Sequence, residues 1–587
     1  MSSNPITIQG WQKGIANSPY LGFSKMVGLD IFRKPGIIQA GLRLDATTPI
    51  TTALINCSCI DAQGNTYYGT NDGKFYKNTT LVNTSPENSP IHDMVIVYDA
   101  NVSFYFIIIS YQGTTLDIYK VSDGTFTSTW VSGLQDSHDA NGVNGWKKMF
   151  LGQDNVVYIA NVNKLASIVG FNSASPAINL SALSTGLPQG RTIQTICEMG
   201  KYVAISTSDG FGTSGNTKIY FMDRGTLNGT GTGFYLSLPI DIPERIINQM
   251  TTTDNRLYFF GCDTGTFYTS NSITYSAIAI IPMRLPTQNY TTYATSIAIL
   301  NNEILWGIGG AYNSAYNTVY GVYALRGNSI ICKNIISSGE YGQTTSVAIG
   351  SIFNISGNYQ VGWQTGNSTF GLDTSSTNIG TSFGCWFESP FYETGTALLP
   401  RAFETIQFNF GQNLVDNQRL RVSYRSAINK AWSTPVIYSW KKYGAVNSLH
   451  DKFPTENTTN IQLKVEFDTN VITPDWFSTQ SIVLATGSNT LTHTILKDTY
   501  YLQDICDLSA NIDTITVYNT NDGTTTIYTA GSGVNNLLIN ENNNQNVIIH
   551  TTAGATISLK VLFDNTIGGA YNSTYGNNIE LQSIILI

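Results

Sequence analysis

Charge is scarce in this chain. Only 12% of its 587 residues are Asp, Glu, Lys or Arg, about half the usual share of roughly 25%. With 31 Lys+Arg against 39 Asp+Glu the formal net charge is -8, and no basic run occurs. Nucleic-acid binding in general needs cations that displace counterions from phosphates, so it is not expected. Long apolar runs are missing too: stretches such as 278–283 have strand length, against the roughly 18 residues of a membrane-spanning helix. The opening Met1-Ser2-Ser3-Asn4-Pro5 has no charged region leading into an apolar one, so no signal peptide is predicted. The seven cysteines are odd in number and scattered, which is no disulfide framework and suits a reducing cytosol. Cys57 and Cys59, spaced C-x-C, form the one close pair. No second Cys or His pair follows, so buried or half-buried thiols are expected there rather than a metal or redox site.

Uncharged polar residues fill the gap: Asn, Gln, Ser and Thr make up about a third of the chain. Disorder does not follow, because 33 Tyr, 26 Phe and 9 Trp supply a large core. Helical periodicity is nearly absent, while short alternating runs bounded by Gly, Asn, Asp and Ser recur from end to end, the pattern of strands and hairpins. From residue 51 a loose repeat of turn, strand, turn, strand emerges. Its first copy, 59–76, carries hairpin turns at Gln63-Gly64-Asn65 and Asn71-Asp72-Gly73. Related units follow at 98–119, 154–169, 200–221, 254–268, 301–323 and 356–372. A spacing of roughly 40 to 55 residues suits four-stranded propeller blades, six or seven of them; a stack of β-sandwiches is the competing arrangement.

Near Cys385 the pattern changes. Strands are expected at 403–410, 420–424, 437–440 and 461–467, half the content of a β-sandwich. Residues 477–570 are richer still in Thr and Asn, and the closing run 579–587 reads as a strand returning to the sandwich. The expected class is therefore all-β: a propeller followed by a jelly-roll-like sandwich, with an additional small β domain. The segments are 1–50, irregular and packing on the propeller or a neighbour; 51–384, propeller; 385–475 plus 576–587, sandwich; and 476–575, insert.

The opening, Gly10-Trp-Gln-Lys-Gly-Ile-Ala-Asn-Ser-Pro-Tyr-Leu-Gly-Phe-Ser-Lys-Met-Val-Gly-Leu-Asp-Ile-Phe-Arg-Lys-Pro-Gly36, pairs a Gly-Ile-Ala-x-Ser-Pro element with Asp-Ile-x-x-x-Pro-Gly. In this it resembles the N-terminal segment of tailed-bacteriophage virion proteins. Glu388-Ser-Pro-Phe-Tyr-Glu-Thr-Gly395, Leu420-Arg-Val-Ser-Tyr-Arg425 and Ile461-Gln-Leu-Lys-Val-Glu-Phe467 are similar to the sandwich that follows the propeller in such proteins. The resemblance implies a structural tail protein, a nozzle or tail-tip subunit, and brings no catalytic residue with it. It implies a virion location after synthesis in the host cytoplasm, other virion proteins of the tail tube or adaptor as partners, and a homo-oligomer, with a hexamer as one form. It does not cover 477–570.

Trp11, Tyr20, Phe23 and Phe32 are apolar anchors for assembly in the opening segment. Tyr312 and Tyr316, with Tyr571 and Tyr575, sit in two loops sharing Gly-Gly-Ala-Tyr-Asn-Ser, equipment for a subunit interface or for binding sugars. Host-surface glycan or receptor recognition by the insert is thus the second reading, and a propeller glycosidase the third. Catalytic, cofactor and metal sites are not expected. His92-Asp93 and Asp136-Ser137-His138-Asp139 place His beside carboxylates, but adjacent strand residues face opposite ways and both groups lie near turns, so solvated loops are predicted. Ser122 to Trp130 departs from the sialidase turn, and nothing brings Asp241 and Glu244 together. Asn71-Asp72-Gly73 and Asn519 to Gly523 lack the loop length and terminal Glu of an EF-hand, so hairpin turns are expected there before calcium.

Overall fold

The computed structural model of the protein describes residues 5–9, 11–16, 22–47, 50, 53–85, 89–99, 104–113, 115–132, 134, 147–169, 177–183, 187–188, 190–209, 216–223, 239–270, 278–284, 290–311, 319–336, 345–379, 385–394, 400–414, 418–439, 447–468, 491–496, 499–501, 512–519, 525–529, 538–540, 545–551, 556–562 and 579–587. Among them the regular structure is all β, apart from one 3-10 turn at Trp11–Lys13, and no helix is long and apolar enough to cross a membrane. The chain forms two compact units: Gln12–Gly28 with Leu42–Thr377, and Met1–Trp11 with Leu29–Gly41 and Asn378–Ile587.

The first unit holds seven successive antiparallel strand groups, numbered here as sheets 1 to 7 and spanning 55–84, 91–131, 149–183, 192–242, 249–284, 297–334 and 347–379; the first five are separate sheets, and the last two are joined where Gly310 pairs with Val347. Sheets 1 to 6 are each a meander of four consecutive strands. Sheet 7 takes three strands from 347–379, and its fourth, Leu42–Ala46, comes from before sheet 1. The first strand of each sheet packs against the first strand of the next, and that of sheet 7, Val347–Ile355, against that of sheet 1, Ile55–Ile60.

Each seam between sheets is apolar. Tyr67 and Phe75 meet Ile107 and Tyr119 between sheets 1 and 2. Further layers join 2 to 3, 3 to 4, 4 to 5 and 7 to 1. Between 5 and 6 the rings of Phe267 and Trp306 stand 5.7 Å apart, and between 6 and 7 Gly307 lies against Ile349, leaving no room for a side chain. Fully burying one such apolar side chain is worth about 1.5–3 kcal/mol. A hydrogen bond nets about 0.5–1.5 kcal/mol, so the seams supply the cohesion and polar ties set the register.

The Asn content has a local use. The hairpins from first to second strand turn through left-handed residues: Asp254 and Asn255 in sheet 5, Asn301 and Asn302 in sheet 6, Ser356 and Gly357 in sheet 7. Paired positive φ angles match the strand twist, and Asn tolerates them best after Gly. In sheet 1, Asp61 Oδ1 accepts the amides of Gln63 (3.0 Å) and Asn65 (2.8 Å) and so holds the turn expected at 63–65.

In the second unit two four-stranded sheets face each other. One orders Ile6–Ile8, Leu581–Leu586, Thr405–Phe410 and Ser448–Lys452; the other orders Val436–Ser439, Arg419–Arg425, Asn460–Asp468 and Cys385–Glu388. Phe408 of the first meets Tyr438 of the second at 4.9 Å. Residues 491–562 contribute a separate five-stranded sheet, in the order Leu491–Leu496, Thr556–Leu562, Gln545–Thr551, Ile512–Asn519 and Thr525–Thr529, whose first pair is parallel.

Candidate functional site

His92 and Asp93 are not in a solvated loop. Both are 3% exposed, on the first strand of sheet 2, Ile91–Asp99. A β-bulge explains it: pairing jumps from Ile91↔Tyr111 to Asp93↔Ser110, so His92 is an extra residue and the alternation that should send one side chain outward is broken. The device recurs. In sheet 1 pairing jumps between Ile55 and Cys57, leaving Asn56 extra; in sheet 4 between Ile193 and Thr195, leaving Gln194 extra; and in sheet 7 between Ile349 and Ile352. Asn56, His92 and Gln194 each follow an isoleucine, and each is buried.

These bulges and their neighbours tie sheet to sheet. Asn56 Nδ2 donates to Ile91 O in sheet 2 at 3.0 Å. His92 Nδ1 accepts the Lys147 amide at 3.4 Å, and Asp93 Oδ2 accepts the Met149 amide at 2.7 Å and Lys148 Nζ at 2.9 Å, all three groups at sheet 3. The Ile193 amide donates to Val162 O (2.6 Å), Ser206 to Ile247 O (2.7 Å), and Gln249 to Ser296 O (2.9 Å). Thr295, leading into sheet 6, donates to Gly350 O of sheet 7 at 3.1 Å and also to Asn56 O of sheet 1. Tyr68 of sheet 1 reaches Gln360 of sheet 7 at 3.0 Å.

Burial pushes the Asp93 carboxyl above its ordinary range, against the pull of Lys148. Nitrogen and oxygen atoms that acid–base chemistry would need are thus engaged in the fold: Asp93 Oδ1 takes the Met94 amide (2.9 Å) and Oδ2 the groups named above. Lys147, fully buried, donates to Tyr111 O at 3.2 Å. The thiols of Cys57, buried, and Cys59, half-buried, are pushed up by burial and then by Asp93, which makes them poor thiolates.

Other carboxylates weighed in the sequence are also held locally. Asp241 is exposed and pairs with Lys218 at 2.8 Å, whereas Glu244 is 1% exposed and accepts the amides of Asp263 (3.0 Å) and Thr264 (3.2 Å) and the Tyr268 hydroxyl (2.9 Å). Asp123 pairs with Lys120 at 2.6 Å and accepts the Thr125 amide, and these bonds hold it down to about 2. Asp72 links Thr70 and Lys74 within the 71–73 turn. Asp136 to Asp139 and Thr520 to Gly523 lie outside the described residues. Among the described residues no three His, Cys, Asp or Glu side chains gather as metal ligands.

Of the assembly candidates, Trp11 and Phe23 are fully buried in their own chain and Phe32 is half-buried. Trp11 Nε1 donates to Gln582 O at 2.7 Å, and its ring lies 5.6 Å from that of Phe387. The segment 22–28 runs beside sheet 6, with Val27 paired to Cys332. Tyr20, Tyr312, Tyr316, Tyr571 and Tyr575 lie outside the described residues.

A second polar site went unremarked in the sequence. Along Arg419–Arg425 the even positions Leu420 and Val422 face the core, and the odd ones build a charged ladder with Asn460–Asp468 and Cys385–Glu388. Arg421 forks onto Glu466 (2.7 and 3.0 Å), Lys464 reaches Glu466 at 3.2 Å and lies 5.1 Å over the Trp386 ring, and Arg425 pairs with Glu388 at 3.4 Å. Arg425 also stacks 4.3 Å over Trp432 and donates to Ile428 O at 3.3 Å, fixing a loop from which Ile428 projects, 70% exposed. Alternation of polar residues, three of them Arg, with apolar or aromatic ones over 419–425 was the available signal.

No protein-family model matches this chain, and no curated protein does. Among solved structures it is similar to a computationally designed protein, Ika8, at 8% identity, over 57% of this chain and 99% of that one, with a TM-score of 0.31, a level that carries no argument.

Proposed function

We propose that this chain is a non-enzymatic structural subunit of a symmetric assembly, of the kind implied by its resemblance to tailed-bacteriophage virion proteins: a tail nozzle or tail-tip component. We read its seven sheets as the blades of a closed seven-bladed β-propeller and its facing sheets as a β-sandwich. The observation that carries the structural reading is the recurrence of the bulge. His92-Asp93 has a counterpart at the bulge of sheet 1: Asn56 bonds Ile91 O of sheet 2 as His92 and Asp93 bond the Lys147 and Met149 amides at sheet 3, so these buried polar groups serve sheet-to-sheet register.

The propeller reading is supported by the cyclic packing of first strands and by the fourth strand of sheet 7 arriving from the N-terminal side. Thr295, bonded to sheets 7 and 1 at once, is a further polar tie in keeping with that reading. Imaging the intact particle tests the assignment: symmetric copies of this chain in the tail support it, and absence from the particle overturns it. The separate sheet formed within 491–562 favours one second reading, recognition of a host-surface glycan or receptor. Deleting the insert distinguishes them, since lost adsorption by intact particles indicates recognition and failed tail assembly indicates the structural role.

A further inference from the structure

Within the seven-sheet unit, the turn between the strands Arg256–Gly261 and Thr266–Ser270 of sheet 5 is built around a carboxylate. The turn is closed by the Gly265 amide on Gly261 O at 3.0 Å, with Gly265 at φ +66. That geometry aims two successive amides, those of Asp263 (3.0 Å) and Thr264 (3.2 Å), at one oxygen of Glu244, Oε2. The other oxygen, Oε1, accepts the hydroxyls of Thr264 and, at 2.9 Å, Tyr268. An ionised carboxylate offers about four acceptor sites, and here four donors meet it. Gly261 supplies the room: a Cβ there would lie 2.2 Å from Glu244 Cδ.

Glu244 itself is delivered from the connection between sheets 4 and 5. The Thr217 amide donates to Glu244 O at 2.8 Å, and the Ser208 hydroxyl to Arg245 O at 2.7 Å, so sheet 4 pins the backbone on both residues. The adjacent cation is engaged elsewhere, since Arg245 Nε (2.8 Å) and Nη2 (2.6 Å) both bond Asp263 Oδ1. The buried charge of Glu244 is therefore met directly by neutral amides and hydroxyls. Burial pushes its carboxyl up, and these bonds pull the other way.

We propose that the 261–265 turn, together with Tyr268, is a carboxylate-binding cradle whose ligand is Glu244 of the same chain, and that it takes a free monocarboxylate once that side chain is cut back. Thermal unfolding of the full chain near neutral pH, at constant ionic strength, tests it. Glu244→Ala deletes Cγ and the carboxylate, the heavy atoms of an acetate ion. Acetate in place of chloride should then raise the melting temperature of Glu244→Ala by about 2–4 °C beyond any change in the wild type. If the variant is unfolded in chloride, folding regained in acetate supports the cradle, and a chain unfolded in both overturns it. Glu244→Gln, which keeps the cradle filled, should be destabilised and gain no more from acetate than the wild type. Adding Gly261→Ala to Glu244→Ala should abolish the response, because the new Cβ takes the place of the ligand. An acetate response no larger in Glu244→Ala than in the wild type, or one matched by sulfate, would overturn the proposal.

Discussion

In the larger unit the buried polar groups are mostly neutral and stand singly between sheets: Asn56, Ser110, Ser206 and Gln249 each bond a backbone carbonyl of a neighbouring sheet. The smaller unit adds to its own neutral buried groups a contiguous charged set, Arg421, Glu466, Lys464, Arg425 and Glu388, running along one sheet face. Single neutral ties lose about 0.5–1.5 kcal/mol each when removed with their surroundings intact. A charged ladder is different, since taking away one member leaves its partner half-buried and unpaired. Cohesion in the first unit lies in its apolar seams, and in the second it is shared between a core and a set of mutually dependent charges.

The sharpest break in this contrast is at a seam. Phe267, fully buried against Trp306 and 4.7 Å from Phe260, should cost about 3–5 kcal/mol as Phe267→Ala, read by denaturant unfolding of the seven-sheet unit. A cost under 1 kcal/mol would place cohesion elsewhere. Next is the ladder: Glu466→Gln should destabilise by about 2–3 kcal/mol, discounted for the partial exposure of Arg421, and restoring neutrality with a second change, Arg421→Met, should recover part of the loss. Strict additivity of the two changes would contradict the ladder.

A smaller effect concerns pH. Asp93 is raised above its ordinary 3.8 chiefly by burial, so the fold favours its protonated form. Its contribution to stability is fully present below 3.8 and is lost as pH rises through the raised folded value. Stability of the wild type relative to Asp93→Asn should therefore fall with rising pH across that window and then level; a relative gain would mean that Lys148 outweighs burial. The smallest effect is expected at the exposed loop tip, where Ile428→Ser should change stability by no more than about 0.5 kcal/mol. A larger loss would show that the loop packs on something within the chain.

Much of the strand content was legible locally. The turns at 63–65 and 71–73, and the strands at 420–424 and 461–467, fall where alternation and turn residues put them, because hairpins are decided by neighbours in sequence. His92 and Asp93 were misread for an equally physical reason: alternation assumes a regular ladder, and a bulge inserts a residue whose presence depends on the partner strand. The repeated Ile-polar dipeptides at 55–56, 91–92 and 193–194 carried the signal, hidden in a composition already rich in both residue types.

The sequence alone determined the all-β character of this protein, its hairpin punctuation and the scarcity of charge, since each depends on residue type and near neighbours. Only the tertiary structure decided where the scarce charge went. The pairing of Asp93 with Lys148, and of Glu388 with Arg425, joins residues dozens of positions apart. The closure of sheet 7 by Leu42–Ala46 likewise reaches across some 325 residues, from Thr47 to Leu372. Such contacts follow from which edges and faces remain unpaired once local strands have formed, a property of the assembled sheets that no stretch of sequence holds by itself.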